Sequence, residues 1–118
     1  MVISQTVSDF DKLLGEVTEE TIKYCLGDIN TRIIINYLEQ LDYSLSEISN
    51  RPEIFSEELR NLMGFGHRQI YGAAEILEET ILELFCKKLG VIFVCEKPLN
   101  FPHQIRKLRD LCRSDVRR

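Results

Sequence analysis

The stretch His67–Gly90, HRQIYGAAEILEETILELFCKKLG, is the longest continuous helical pattern in this chain, and its reading decides the fold. Ile70, Ala73, Ala74, Leu77, Ile81, Leu84 and Phe85 recur at three- and four-residue intervals, which places them on one face of a 3.6-residue helix. That face is expected to point into a core. Glu75, Glu79 and Glu83 repeat on another face, and Lys87 and Lys88 suit the negative end of the helix dipole. Gly90 is the expected stop. A helix over residues 67–89 is about 33 Å long, enough to span a small domain as its spine. The small residues Gly72, Ala73 and Ala74 mark the place where a second helix is expected to cross closely.

The segments on either side are shorter and also helical in period. Val7, Phe10, Leu13, Leu14 and Val17 lead to Ile22, Cys25 and Leu26, with a break expected near Gly15–Val17 and an end at Gly27. Asp28 or Asn30 is placed to cap the next helix, whose apolar positions are Ile33, Ile34, Tyr37, Leu38 and Leu41. The polar string 42–50 reads as a structured connection in which Leu45 and Ile48 anchor a single turn. Pro52 suits a helix start, and Ile54, Phe55, Leu59, Leu62 and Met63 form the buried stripe that follows, with Gly64 as terminator. Gly64-Phe65-Gly66 lacks the third glycine of a dinucleotide fingerprint and the Lys-Ser/Thr of a phosphate loop, so it reads as a tight corner with Phe65 inward, with anion binding at the amides that follow, beside His67 and Arg68, as the lesser alternative.

Beyond Gly90, residues 91–95, VIFVC, have the composition of a short buried strand, yet no second strand is evident to pair with them. Val91, Ile92, Phe93 and Val94 are therefore candidates for an interaction surface, either packed on the bundle or paired with a second subunit. A last amphipathic helix is expected over Pro102–Arg113, with a frayed end after it. Its polar face carries Arg106, Lys107, Arg109 and Arg113, the candidate contacts for an anionic partner or nucleic acid. The expected architecture is thus all-α: one domain over residues 1–118, a compact bundle of about five helices around the central one. Residues 96–118 form its basic end.

The 118 residues include 44% apolar and 29% charged side chains, ordinary for one globular domain. The net charge of −4 is unevenly placed. Residues 1–60 carry twelve acids against five bases and residues 96–118 three acids against seven bases, so an acidic body meets a basic end. The longest apolar run is far shorter than the roughly 20 residues of a membrane span, and no signal-peptide pattern opens the chain, so residence in the cytoplasm is the expectation. Cys25, Cys86, Cys95 and Cys112 form no CxxC pair and read as reduced, buried thiols, with a disulfide or metal role the less favoured alternative.

Catalysis is not indicated. Glu75, Glu78 and Glu79 read as acids along a solvated face, whereas general acid–base chemistry needs groups converging on a pocket. Di-iron bundles use Glu-x-x-His pairs, but Gly64 and Asn100 stand three residues before His67 and His103. No cofactor, metal or small-molecule substrate is therefore expected, and the favoured partner is a protein or a second copy of the chain. Nucleic acid is less favoured, because the acidic body opposes a polyanion.

The run Ile70-Tyr71-Gly72-Ala73-Ala74-Glu75-Ile76-Leu77-Glu78-Glu79-Thr80-Ile81, continuing to Lys88-Leu89-Gly90, resembles the signature of a small archaeal domain, the Nitrosopumilus output domain, fifth type. Tyr37-Leu38-Glu39, Leu45 to Ile48, Pro52-Glu53-x-Phe55 and Leu59 agree in order. The family's motif carries a further glycine, FGxGA, that this chain lacks, and the basic end after residue 96 lies outside the pattern. The resemblance implies an all-helical domain with a role in signal output and no catalytic residues.

Overall fold

The computed structural model describes residues 9–63, 73–94 and 99–116, with side chains except at 73 and 113–116. The expectations on Val7, Gly64–Gly72, the side chain of Ala73 and Cys95 lie outside the described residues. Among the described residues four α-helices follow one another: α1 (Asp9–Gln40), α2 (Pro52–Met63), α3 (Ala73–Leu89) and α4 (Phe101–Val116), with a 3-10 turn at Leu45–Glu47. The expected five helices become four, because α1 takes up two of the expected segments.

Gly27 still parts the two segments within α1. Its φ of 89° and ψ of 167° are non-helical and belong to a region that glycine alone occupies readily. Glu19 and Lys23, before the glycine, line one cleft with Thr31, Arg32 and Ile35, after it. The chain therefore reverses at Gly27, and α1 is a hairpin with arms at residues 9–26 and 28–40. Asn30, one of the two candidate caps, acts differently here, together with Thr31. Asn30 donates back to the Leu26 carbonyl at 2.9 Å and Thr31 to the Gly27 carbonyl at 2.7 Å, so both satisfy backbone acceptors at the corner.

Gly15, by contrast, breaks nothing: the first arm runs straight through it. A Cβ there would lie 3.4 Å from the backbone of Leu45, so the missing side chain lets the 3-10 turn sit close against the arm. The turn itself forms as its sequence suggests, with Ile48 fully buried and Leu45 half-buried. Tyr43 closes it by donating its hydroxyl to the Arg51 carbonyl at 2.9 Å, beneath the Arg51 guanidinium.

The core draws on every helix. Leu14, Val17 and Ile22 come from the first arm of α1, Ile34 and Leu38 from the second, and Phe55 and Leu59 from α2. Helix α3 supplies Ala74, Leu77, Ile81, Leu82, Phe85 and Cys86, and α4 supplies Phe101, Ile105 and Leu108. Two aromatic pairs fix the layers: Phe10 meets Phe85 edge-on at 5.0 Å, and Phe55 meets Phe101 at 5.6 Å. Helix α3 packs against α1, α2 and α4, which makes it the spine. Its inward arc is accordingly wider than the expected stripe. Leu82, Cys86 and Glu78 join it, whereas Leu84 is only half-buried and Ile76 is exposed.

Helix α4 begins one residue earlier than expected because Asn100 caps it, its side chain accepting from the His103 N–H at 3.1 Å. It also runs on to Val116, where a frayed end was expected beyond Arg113.

Candidate interaction surface

At the end of α3, Gly90 takes a φ of 78°, and its N–H reaches the Lys87 carbonyl at 3.3 Å. The Val91 N–H reaches the Cys86 carbonyl at 3.0 Å, and together the two bonds make the Schellman stop that the glycine predicts. Over 91–94 the chain beyond it is neither helix nor strand. Burial nevertheless alternates. Val91 and Phe93 pack against the core, while Ile92 is 88% and Val94 62% exposed. The segment proposed as an interaction surface is therefore divided: its odd residues anchor it and its even residues face outward. No hydrogen bond ties the main chain of 92–94 to other described residues.

The basic residues of α4 are largely committed within the fold. Arg106 pairs with Glu53 of α2. Arg109 donates to the Ser49 carbonyl at 3.0 Å and to the Asn50 side chain at 2.8 Å, and Ser49 in turn donates to Asp11. Lys107 is exposed and also has an intramolecular interaction. The side chain of Arg113 lies outside the described residues. These arginines fasten α4 to α2 and to the turn before it, so the charge counted at this end is not all available to a polyanion. Glu53 shows the effect: its own backbone N–H, then Arg106, hold its carboxyl below the usual range.

Sequence reasoning missed two features. The first is Glu78, expected on a solvated face but fully buried. Ser56 donates to it at 2.6 Å, and Arg60 donates through two nitrogens at 2.8 and 3.1 Å. Arg60 also lies 3.7 Å from Glu75. The Arg60 side chain is 40% exposed, so the buried carboxylate is paired with a cation that is itself partly in water. Glu78 in turn raises the pKa of Arg60. The signal was present in the sequence: Glu78 lies one turn from both Ala74 and Leu82.

The second is the tip of the α1 hairpin. Tyr24 is 87% exposed, and Ile29 and Ile33, one helical turn apart, are 76% and 54% exposed. Cys25, expected to be buried, is exposed beside them. Sequence period placed Ile33 inward, but the second arm turns Thr31, Ile34 and Leu38 to the core instead.

Two clefts lie along the hairpin. One, of about 260 Å³, is lined by Glu19, Lys23, Asp28, Thr31, Arg32 and Ile35. The other, of about 160 Å³, lies between the second arm and the turn and is lined in part by Leu38, Glu39, Tyr43 and Leu45. Burial pushes the Tyr43 phenol well above its ordinary value, which keeps it neutral as a hydrogen-bond donor. Among the described residues no group of three or more His, Cys, Asp or Glu side chains is placed to hold a metal ion. No helix among them is long and apolar enough to cross a membrane. Neither a protein-family model, nor a curated protein, nor a solved structure matches this chain.

Proposed function

We propose that this chain is a non-enzymatic helical interaction module, of the kind that passes on a signal by docking, and that Ile92 and Val94 are its contact residues. The observation that carries the reading is their outward placement on a segment anchored by Val91 and Phe93. Two β-branched apolar side chains held in water lose little freedom on docking and gain from leaving water. The occupant is a protein partner or a second copy of the chain. Nucleic acid stands second, because Arg106 and Arg109 already have partners within the fold.

Sedimentation across a range of concentrations tests self-association. The wild-type mass is expected to rise toward that of a dimer, and the double variant Ile92→Asp/Val94→Asp to stay monomeric with an unchanged melting temperature. A wild-type chain that remains monomeric throughout overturns the second copy as partner. A double variant that associates like wild type removes these two residues from the contact.

A further inference from the structure

Two apolar patches on the described surface are accompanied by charges of opposite sign. The first is the pair Ile92 and Val94. Lys87 and Lys88 stand just before them in the last turn of α3. Both lysines are exposed, and neither side chain has an ion pair or hydrogen bond within the described residues. The bonds that hold residues 90 and 91 against that last turn keep the outward side chains within a few residues of both charges. The second patch is the tip of the α1 hairpin, where Tyr24, Ile29 and Ile33 stand in water. Helix α1 carries seven acids against three bases. Two of those bases, Lys23 and Arg32, line the cleft between the arms together with Glu19 and Asp28, so acids match them there. Glu20 is exposed one turn before Tyr24 and has no partner within the described residues. The surroundings of the tip are thus acidic.

Resting on the reading of Ile92 and Val94 as contact residues, we propose that their occupant is the hairpin tip of a second copy of this chain. Ile92 and Val94 of one copy pack on Tyr24, Ile29 and Ile33 of the other, and Lys87 and Lys88 meet the acidic helix around them. The contact is head-to-tail, because the two copies present different surfaces. Charge decides between this pairing and the symmetric ones. Either patch set against its own kind brings lysines to lysines or acids to acids, whereas one set against the other brings lysines to acids. Apolar shape agrees with that choice. Ile29 and Ile33 lie one helical turn apart and make a ridge, and Tyr24 adds a broad face that loses little freedom on docking. Five apolar side chains form a small interface, so the association belongs to the weak, transient class.

Sedimentation of two full-length variants, alone and mixed, tests the contact. Ile92→Asp/Val94→Asp spoils one surface and Tyr24→Gln/Ile29→Gln the other. All four residues are exposed, so both variants are expected to melt as wild type does. Each alone is expected to stay monomeric at concentrations where wild type associates. An equimolar mixture is expected to recover a species of two chains, since each variant keeps the surface that the other lacks, and that recovery also shows both to be folded. Lys87→Glu/Lys88→Glu is expected to weaken wild-type association about tenfold, and added salt to weaken it too. Association indifferent to both overturns the choice of partner. A tip variant that associates like wild type, beside a monomeric Ile92→Asp/Val94→Asp, overturns this inference alone and leaves Ile92 and Val94 as contact residues. A mixture that stays monomeric overturns it as well. A wild-type chain that is monomeric throughout, or an Ile92→Asp/Val94→Asp variant that associates like wild type, overturns it together with the reading on which it rests.

Discussion

Toward its C-terminal end α3 is held by Phe85, fully buried and edge-on to Phe10, with Ile81 and Leu82 beside it. Toward its N-terminal end the same helix is held by Glu78, equally buried, whose carboxylate is gripped by Ser56 and Arg60 from one face of α2. Apolar contact of the first kind is large and non-directional. The ionic contact loses much of its attraction to desolvation, but it has one geometry: Ser56 and Arg60 are one turn apart, and the carboxylate must meet both. We read the first half of the contrast as the source of stability and the second as the register that fixes α3 against α2.

Phe85→Ala strikes the first half and is the most damaging change expected. It removes a fully buried ring and leaves a cavity, at about 3–5 kcal/mol in denaturant unfolding. A loss below about 1 kcal/mol places the aromatic pair outside the core. Arg60→Ala strikes the second half and leaves Glu78 buried without its cation. The expected cost is about 2 kcal/mol, less than for a fully enclosed pair because the Arg60 side chain is 40% exposed and water reaches the site. Glu78→Leu is the sharper test. Replacing the buried ion by an apolar side chain is expected to leave stability within about 1 kcal/mol of wild type. If it costs as much as Phe85→Ala, the contrast between the two halves fails.

The exposed pair Arg106–Glu53 offers the same charges without burial, and the smallest effect. Arg106→Gln is expected to cost below about 1 kcal/mol. NMR titration reads it better: the Glu53 pKa is expected to rise toward its ordinary value yet stay below it, because its own backbone N–H still donates. The sign follows from the lowered pKa. The pair's contribution is present above the unfolded pKa and is lost as pH falls through the folded one, so the variant differs from wild type near neutrality and converges with it in acid. An unmoved Glu53 titration removes Arg106 as a cause of the shift.

Much of this arrangement is legible in the sequence wherever one residue type has one physical meaning. Ala74, Leu77, Ile81 and Phe85 fall on the core face that their spacing predicts, and Gly27 and Gly90 end helical runs as expected. Leu82 and Cys86 escape a single-stripe reading because three helices cover α3, and a wide buried arc has no clean period. Glu78 escapes because an acid among acids reads as solvated, and its partners lie about twenty residues away in sequence. Gly15 reads as a weak point in a helical run, whereas its meaning in the fold is proximity to Leu45. The basic face of α4 was legible as charge, but the partners Glu53, Ser49 and Asn50 come from elsewhere in the chain. For the candidate surface, composition singled out 91–94, and only the fold separates anchors from exposed residues. The tip at Tyr24, Ile29 and Ile33 had no signal of its own, because a helix that reverses on one residue looks like two ordinary amphipathic helices.

Gly27 has a consequence for chirality. A Cβ placed on it would meet no atom within 4 Å, so space does not exclude a side chain there. What excludes it is the sign of the torsion, since a φ of 89° with ψ near 180° is open to a left-handed amino acid only under strain. Reflected, the same angles fall in the ordinary extended region. The corner on which α1 turns therefore selects by handedness and not by size: a D-alanine fits where its mirror image does not.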